Sequence, residues 1–202
     1  MRSRKKATFD HEEMVNSPVV ISVDAGGTTG WSIMQVHPES LVDPDVPILA
    51  NMEHWAHGQI VSNGPGGKYS KEMEDLAVDE LLELAEIWGG AVWVLEDFIL
   101  RKPSMARELL TPVRLNAVLG YELALMEINI VYQMADFAKR TASDARLKEW
   151  LLYERSGGMQ HARDADRHSI VLLRRLKEKS AMRGALFPHF YTPEGELKGR
   201  VG

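Results

Sequence analysis

The chain has 202 residues, a formal net charge of -5 and no cysteine. That length fits one domain with a full core and is too short for two ordinary domains. Without cysteine, disulfides, thiolate zinc sites and a cysteine nucleophile are excluded, so any catalysis must use carboxylates, histidines, hydroxyls or a metal bound through oxygen and nitrogen. Because the sequence has no signal-peptide pattern and no apolar run approaching about 18 residues, we expect a soluble, cytoplasmic protein.

The charge is distributed unevenly along the chain. Residues 1–138 contain 10 Lys and Arg against 21 Asp and Glu, whereas residues 139–202 contain 14 against 8. Such an asymmetry indicates a polyanionic partner, for example a nucleic acid. Solvated helices near a C-terminus are often basic as well, so the charge alone leaves both interpretations open.

The first half of the chain predicts three strands, a helix and a fourth strand. Residues 1–17 are charged without periodicity and predict a disordered arm. The run VVISVDAGG predicts the first strand, GWSIMQVH its hairpin partner and residues 50–61 a third strand. Residues 71–88 have helical spacing, and AVWVLEDF at 91–98 is typical of a strand buried on both faces.

The second half predicts helices around one further strand. A helix over about 105–127 is apolar on more than one side, so we expect the sheet to cover one face and a partner subunit the other. Residues 128–134 predict a strand, 135–158 one or two helices broken near 141–144, and 161–184 a closing helix. This order predicts one α/β domain over 18–184 and a C-terminal tail over 185–202. The predicted sheet is mixed and five-stranded, an antiparallel three-strand meander plus parallel strands, flanked by helices.

Two acidic residues interrupt apolar strands where functional sites of α/β sheets form. Asp24 lies in the first strand and Glu96 ends the run VWVLE. Burying a carboxylate in such a place costs free energy, because the charge loses its hydration, unless a positive group compensates for it. Asp24 could instead accept hydrogen bonds within a turn, which is a common structural role for aspartate.

The closing helix adds a third acidic position. His161, Asp164 and His168 share one helical face, and Asp166 lies well round from it. Asp164 could simply complement the helix dipole, but three acids at element ends together favour a functional site. Carboxylates with a histidine form the donor set that Mg²⁺ or Mn²⁺ prefers.

These motifs, in this order, resemble the RNase H-like fold and, more narrowly, the RuvC-type Holliday-junction resolvases of the bacteriophage branch. The resemblance covers roughly residues 18–180. ISVDAGGTTGWSI matches the first-strand motif, VWVLEDF matches the strand that ends in glutamate, and HARDADRH matches the late helix. DADRH, residues 164–168, has the Asp-Ala-x-Arg-His form of phage relatives.

The resemblance implies a homodimeric endonuclease that cuts four-way and related branched DNA with two Mg²⁺ or Mn²⁺ ions per active site, in the host cytoplasm if phage-encoded. Asp24 would bridge the ions, Glu96 and Asp164 would hold one each, and His161 or Asp166 would complete or tune the second site. The third motif could also slide by two residues, which would exchange Asp164 for Asp166. The predicted phosphate contacts are basic residues of the C-terminal third: Lys139, Arg140, Arg146, Arg163, Arg167, Arg174 and Arg175.

Other functions fit parts of the sequence. DAGGTTG resembles the phosphate loop of sugar kinases and actin-like ATPases, but the second Asp-x-Gly motif and the Gly-Gly adenosine loop of that group are missing. The glycine-rich stretch SNGPGGKYS is not a P-loop, because Ser62 precedes Lys68 by six residues where glycine is required and Tyr69 follows it. A catalytically inactive junction-binding protein and a flap or fork nuclease also remain open.

Overall fold

A computed structural model describes residues 17–98 and 107–199. The predicted arm therefore lies outside the described residues except for Ser17, as does the start of the helix predicted from residue 105. The described residues form five strands and six α-helices. Their bounds are β1 Val19–Asp24, β2 Thr28–Val36, β3 Met52–Val61, α1 Lys71–Ile87, β4 Val92–Glu96, α2 Thr111–Leu125, β5 Ile130–Gln133, α3 Ala135–Thr141, α4 Asp144–Glu149, α5 Gln160–Glu178 and α6 Ser180–Leu186.

The five strands form one mixed sheet in the order β3-β2-β1-β4-β5. β1, β2 and β3 pair antiparallel as a meander, whereas β4 is parallel to β1 and β5 is parallel to β4. The predicted fold class is confirmed, including the two parallel strands that follow the meander. The break predicted in the helical region after β5 is confirmed as well, since α3 ends at Thr141 and α4 begins at Asp144.

Helices cover both faces of the sheet, so every residue of β1 is buried. Because side chains alternate along a strand, Ile21 and Val23 enter the core formed with α1 and α2, while Val20 enters a second core formed with α5 and the residues after it. Ser22 Oγ lies 2.7 Å from Ser169 Oγ, which places α5 directly on the β1 face that carries Ser22 and Asp24.

The closing helix differs from its prediction, because it consists of two helices. α5 ends at Glu178, Lys179 leaves helical geometry with φ -117 and ψ 90, and α6 follows. Buried Arg183 explains the break. Its guanidinium donates hydrogen bonds to carbonyl oxygens of Leu41, Leu176 and Gly195, which fold the chain back against the end of α5. Helical periodicity continues through such a break and cannot reveal it.

The chain beyond α6 stays against this core. Phe187 and Tyr191 are both buried there, and Tyr191 Oη donates a hydrogen bond of 2.8 Å to the carbonyl of Pro38. The boundary between domain and tail at residue 184 stays a prediction. Within the described ranges, no helix has both the length and the apolar character needed to cross a membrane.

Candidate active site

Asp24 and Glu96 lie side by side at one edge of the sheet. β1 and β4 are parallel neighbours with Val23 opposite Leu95, so the next residue of each strand is an acid at the same level. A side-chain hydrogen bond between the two carboxyl groups contributes to the pKa of both acids. Such a bond needs one shared proton, because two carboxylates have only acceptors.

The environment separates the pKa values of the two acids. Burial, the hydrogen bond to Asp24 and the charge of Asp24 raise the pKa of Glu96 to about 9, and the nearby Asp164 adds to the rise. Burial alone would raise the pKa of Asp24, but hydrogen bonds from His161 and Glu96 outweigh burial and lower it. At neutral pH the proton therefore belongs to Glu96 and the negative charge to Asp24.

His161 reaches Asp24 from the first turn of α5. Its Nδ1 lies 2.9 Å from Asp24 Oδ2, and this hydrogen bond raises the pKa of His161 above its ordinary value, against the effect of burial. Gly30 makes the approach possible, because a Cβ there would lie 2.1 Å from the backbone carbonyl of His161. The backbone N–H of His161 also donates to Gln59 Oε1 at 2.9 Å, which ties the helix start to β3.

Asp164 lies one turn further along α5 and is paired with cations. Its carboxylate accepts a hydrogen bond from the guanidinium of Arg167, and Lys139 Nζ lies 3.3 Å from its other oxygen. The charge of Asp164 still acts on Glu96 and His161, so it belongs to the same cluster.

His168 is a further member of the cluster. Its spacing predicted the same helix face as His161 and Asp164, but no role was predicted for it. Its Nε2 lies 4.0 Å from Glu96 Oε2, and its Nδ1 is buried without a hydrogen-bond partner among the described residues. Burial lowers the pKa of His168 to about 4, although the charges of Asp24 and Asp164 oppose the change. The imidazole is therefore neutral at pH 7. The signal available in the sequence was its i+7 spacing from His161.

Asp166 faces away from this cluster, and its role as a metal ligand stays a prediction. Its side chain is 1% exposed and accepts hydrogen bonds from Ser32 Oγ at 2.7 Å and Trp55 Nε1 at 2.9 Å, with His57 Nδ1 at 2.8 Å. Two residues along a helix turn the side chain by about 200°. Asp164 therefore faces the acid cluster while Asp166 faces β2 and β3, which also argues against the two-residue slide of the third motif.

The cluster fits a hard cation by its donor chemistry. Asp24, Glu96 and His161 offer carboxylate oxygens and an imidazole nitrogen, and a cation would replace the proton that now keeps Glu96 neutral. Across residues 17–98 and 107–199, however, no three such side chains already surround a common point that could hold a metal ion. Asp164 would have to leave Arg167 and Lys139 to become a third carboxylate ligand.

The basic residues predicted to contact DNA differ in accessibility. Lys139 and Arg163 line a hollow of about 600 Å³ beside Asp164. Arg140 and Arg146 are exposed and bond to carbonyl oxygens of their own segment. Arg174 and Arg175 are partly buried on α5.

Arg167 is the exception among the predicted phosphate contacts. It is 6% exposed, and its guanidinium donates to Asp164, Asp144 and the carbonyl of Ala142. Its donors are used within the protein, and its contact with phosphate stays a prediction. Instead it joins α5 to the connection between α3 and α4.

A mixed sheet of this strand order, flanked by helices, defines an RNase H-like fold of the RuvC kind. The chain is similar to the structure of T. thermophilus RuvC in complex with a Holliday junction substrate, with TM-score 0.50 and 14% identity over 84% of this chain and 96% of that chain. The Thermus thermophilus RuvC structure gives TM-score 0.49 and 16% identity over 83% and 96%. No protein-family model and no curated protein sequence matches the chain.

Proposed function

We propose that the protein is a structure-selective DNA endonuclease that resolves four-way junctions and related branched DNA by hydrolysing phosphodiester bonds. The observation that carries this proposal is the cluster of Asp24, Glu96, His161 and Asp164 at one edge of an RNase H-like sheet. The similar structure of RuvC was solved with a Holliday junction, which supports branched DNA as the substrate class.

We propose that Asp24 and Glu96 hold Mg²⁺ or Mn²⁺, and that Asp164 joins them once it has left its two cations. Divalent ions at such a site lower the pKa of an attacking water and stabilise the leaving 3′ oxygen. Asp24 keeps its charge at neutral pH and holds His161 beside the cluster at 2.9 Å. The contact with Asp24 raises the pKa of His161, so this imidazole can hold a proton beside the cluster and take part in general acid–base catalysis.

Lys139 and Arg163 are the proposed phosphate contacts nearest to the reaction. Both line the hollow beside Asp164, and the side chain of Lys139 is 55% exposed. A DNA phosphate that recruits Lys139 would remove one of the two cations from Asp164. DNA binding and the release of Asp164 would then favour each other.

We also propose a homodimer that uses the outer face of α2. Val113, Val118, Tyr121 and Leu125 are all exposed apolar residues there, with Tyr121 63% exposed. Exposed apolar surface of this extent marks an interaction site in many proteins, and a two-fold dimer matches a junction with two symmetric cuts. The DADRH form of the third motif supports the phage branch of the resolvases.

The test is incubation of the protein with end-labelled four-way, three-way, flap and linear duplex DNA, with and without Mg²⁺ or Mn²⁺. We expect paired cuts in the four-way junction only with metal, and loss of cutting with retained DNA binding in Asp24→Asn. Binding without any cutting by the natural sequence would instead identify an inactive junction-binding protein. A rise of several degrees in melting temperature with Mg-ATP, together with no effect of branched DNA, would favour the ATPase alternative.

A further inference from the structure

A second groove, distinct from the acid cluster, opens beside His161. Its volume is about 840 Å³, within the range of roughly 300–1,000 Å³ that is typical of small-ligand sites. We call it the glycine groove. Its walls come from the turn between β1 and β2, the end of β3, the loop after β3 and the start of α1: Gly27, Thr28, Val61, Asn63–Gly67 and Met73.

The loop that forms one wall is fixed by buried hydrogen bonds. The backbone N–H groups of Ser62 and Asn63 both donate to the carbonyl of Gly27, at 3.0 and 2.9 Å. The Asn63 side chain accepts from Thr111 Oγ1 at 2.9 Å and donates to the carbonyl of Gly67 at 3.2 Å. Because these bonds join the loop to the β1–β2 turn and to α2, the groove is formed before any ligand enters.

Gly66 and Gly67 give this wall its shape. Their φ angles are +70 and +75, a conformation that residues with a side chain rarely adopt. A Cβ at either position would meet nothing within 4 Å, so crowding inside the protein does not explain the glycines. The wall therefore presents a bare peptide backbone that a ligand can approach closely.

The glycine groove and the hollow beside Asp164 are lined by neighbouring residues at the start of α5. His161 lines the groove, whereas the preceding residue, Gln160, lines the hollow with Lys139 and Arg163. The hollow offers cations, while the described lining of the groove contains neither Lys nor Arg. The groove combines the exposed backbone of its glycines with three apolar side chains, those of Val61, Pro65 and Met73.

We propose that the glycine groove takes one unpaired nucleotide of the DNA strand that is being cut. A lining without Lys or Arg suits a base and sugar, and Val61 is 55% exposed there. The strand would run from the hollow, where cations hold its phosphates, past the acid cluster and into the groove. This inference rests on the proposed function, and it adds that bases next to the cut are unstacked and held on one side only.

The test uses four-way junctions with 2-aminopurine at single positions on either side of the cut, a base analogue that fluoresces when it is unstacked. Asp24→Asn serves as the non-cutting protein. We expect a fluorescence rise at one flanking position, and its loss when Val61→Trp, which fills the groove, is added. In the active protein Val61→Trp should slow cleavage on the order of 100-fold, because displacing the scissile phosphate from the acids by ~1 Å can cost that much.

The matched control is Ile87→Trp, an equally large change at the far end of α1. Met73→Trp blocks the groove from its other side, so the test does not depend on Val61→Trp alone. Melting temperature and junction affinity show whether either variant has a folding defect. A junction that is cut normally, with no fluorescence rise or with a rise that both tryptophan variants leave unchanged, overturns the inference while the proposed function stands. Failure to bind or cut any branched DNA overturns the proposed function. Stabilisation by free ATP or dAMP without DNA, lost in Val61→Trp, would assign the groove to free nucleotides and overturn its role in holding the strand.

Discussion

Replacing Glu96 with glutamine should stabilise the metal-free protein at neutral pH. Burial and the neighbouring Asp24 raise the pKa of Glu96 to about 9 from an ordinary value of 4.5. Between these values the native protein keeps a proton that the unfolded chain has released. The free energy of unfolding therefore falls as pH rises from about 4.5 to about 9. Glutamine mimics the protonated acid and has no such proton to lose.

The size of the effect follows from the width of this window. In the unfolded chain Glu96 has its ordinary pKa of 4.5, which lies 2.5 pH units below pH 7. Each unit corresponds to about 1.4 kcal/mol, so the upper limit at pH 7 is about 3 kcal/mol. The Glu96 side chain is only 15% exposed, so solvent screening removes little of this. His161, with its raised pKa, contributes stability that is full below 6.5 and is lost as pH rises, but both proteins contain it and it cancels in the difference.

The assay is urea unfolding of the natural sequence and Glu96→Gln at pH 5, 7 and 8.5, with EDTA present. The stability advantage of Glu96→Gln should be small at pH 5 and grow toward pH 8.5. Asp97→Asn, at the exposed next residue, is the control and should show no such trend. An advantage that does not change with pH, or a variant that is less stable at every pH, would refute the shared-proton description of Asp24 and Glu96.

Three other substitutions test the fold around the site. Arg167→Met should lower the free energy of unfolding by about 3–5 kcal/mol, because it leaves the buried carboxylate of Asp164 without its guanidinium partner; urea denaturation measures this. Gly30→Ala should separate α5 from β2, since its Cβ would lie 2.1 Å from the His161 backbone, and NMR titration should show the pKa of His161 returning toward its ordinary value. Tyr121→Glu should convert the proposed dimer to a monomer, as measured by analytical ultracentrifugation.

Each of these substitutions has a matched control. Arg167→Lys keeps the charge and should recover part of the lost stability. Gly89→Ala places a Cβ in open space and should leave His161 unchanged. Leu151→Glu alters an equally exposed apolar residue after α4 and should not change the oligomeric state. A monomer for the natural sequence, or a dimer that survives Tyr121→Glu, would contradict the proposed use of the α2 face.

The sequence predicted the fold and the meeting of Asp24 with Glu96 for a simple reason. Acids at the carboxyl ends of neighbouring parallel strands reach the same edge of a sheet, and strand order follows from alternating strand and helix patterns. The spacing of His161 and Asp164 likewise predicted a shared helix face. These inferences use only local periodicity and topology, which a single sequence contains.

Other features depend on tertiary contacts that local patterns do not contain. The burial of Arg167 depends on Asp144 and Ala142, which belong to a segment about 25 residues away. The rotation of α5 that turns Asp166 toward Ser32 is set by where the helix rests on β2, and Gly30 fixes that contact. Charge asymmetry likewise identified a basic region without separating exposed Lys139 from buried Arg167.

The charge balance of the cluster explains how three acids remain together without metal. Asp24 has His161, Asp164 has Arg167 and Lys139, and Glu96 is neutral because it keeps a proton. No acid is left as an unpaired buried charge, which would cost several kcal/mol. A divalent cation entering beside Asp24 would have to release the proton of Glu96, so its affinity should rise with pH up to about 9. Exposed Lys139 can be recruited by a phosphate, whereas the guanidinium of buried Arg167 is held by Asp144 and Ala142, so in the proposed function a DNA phosphate would remove only the Lys139 cation from Asp164.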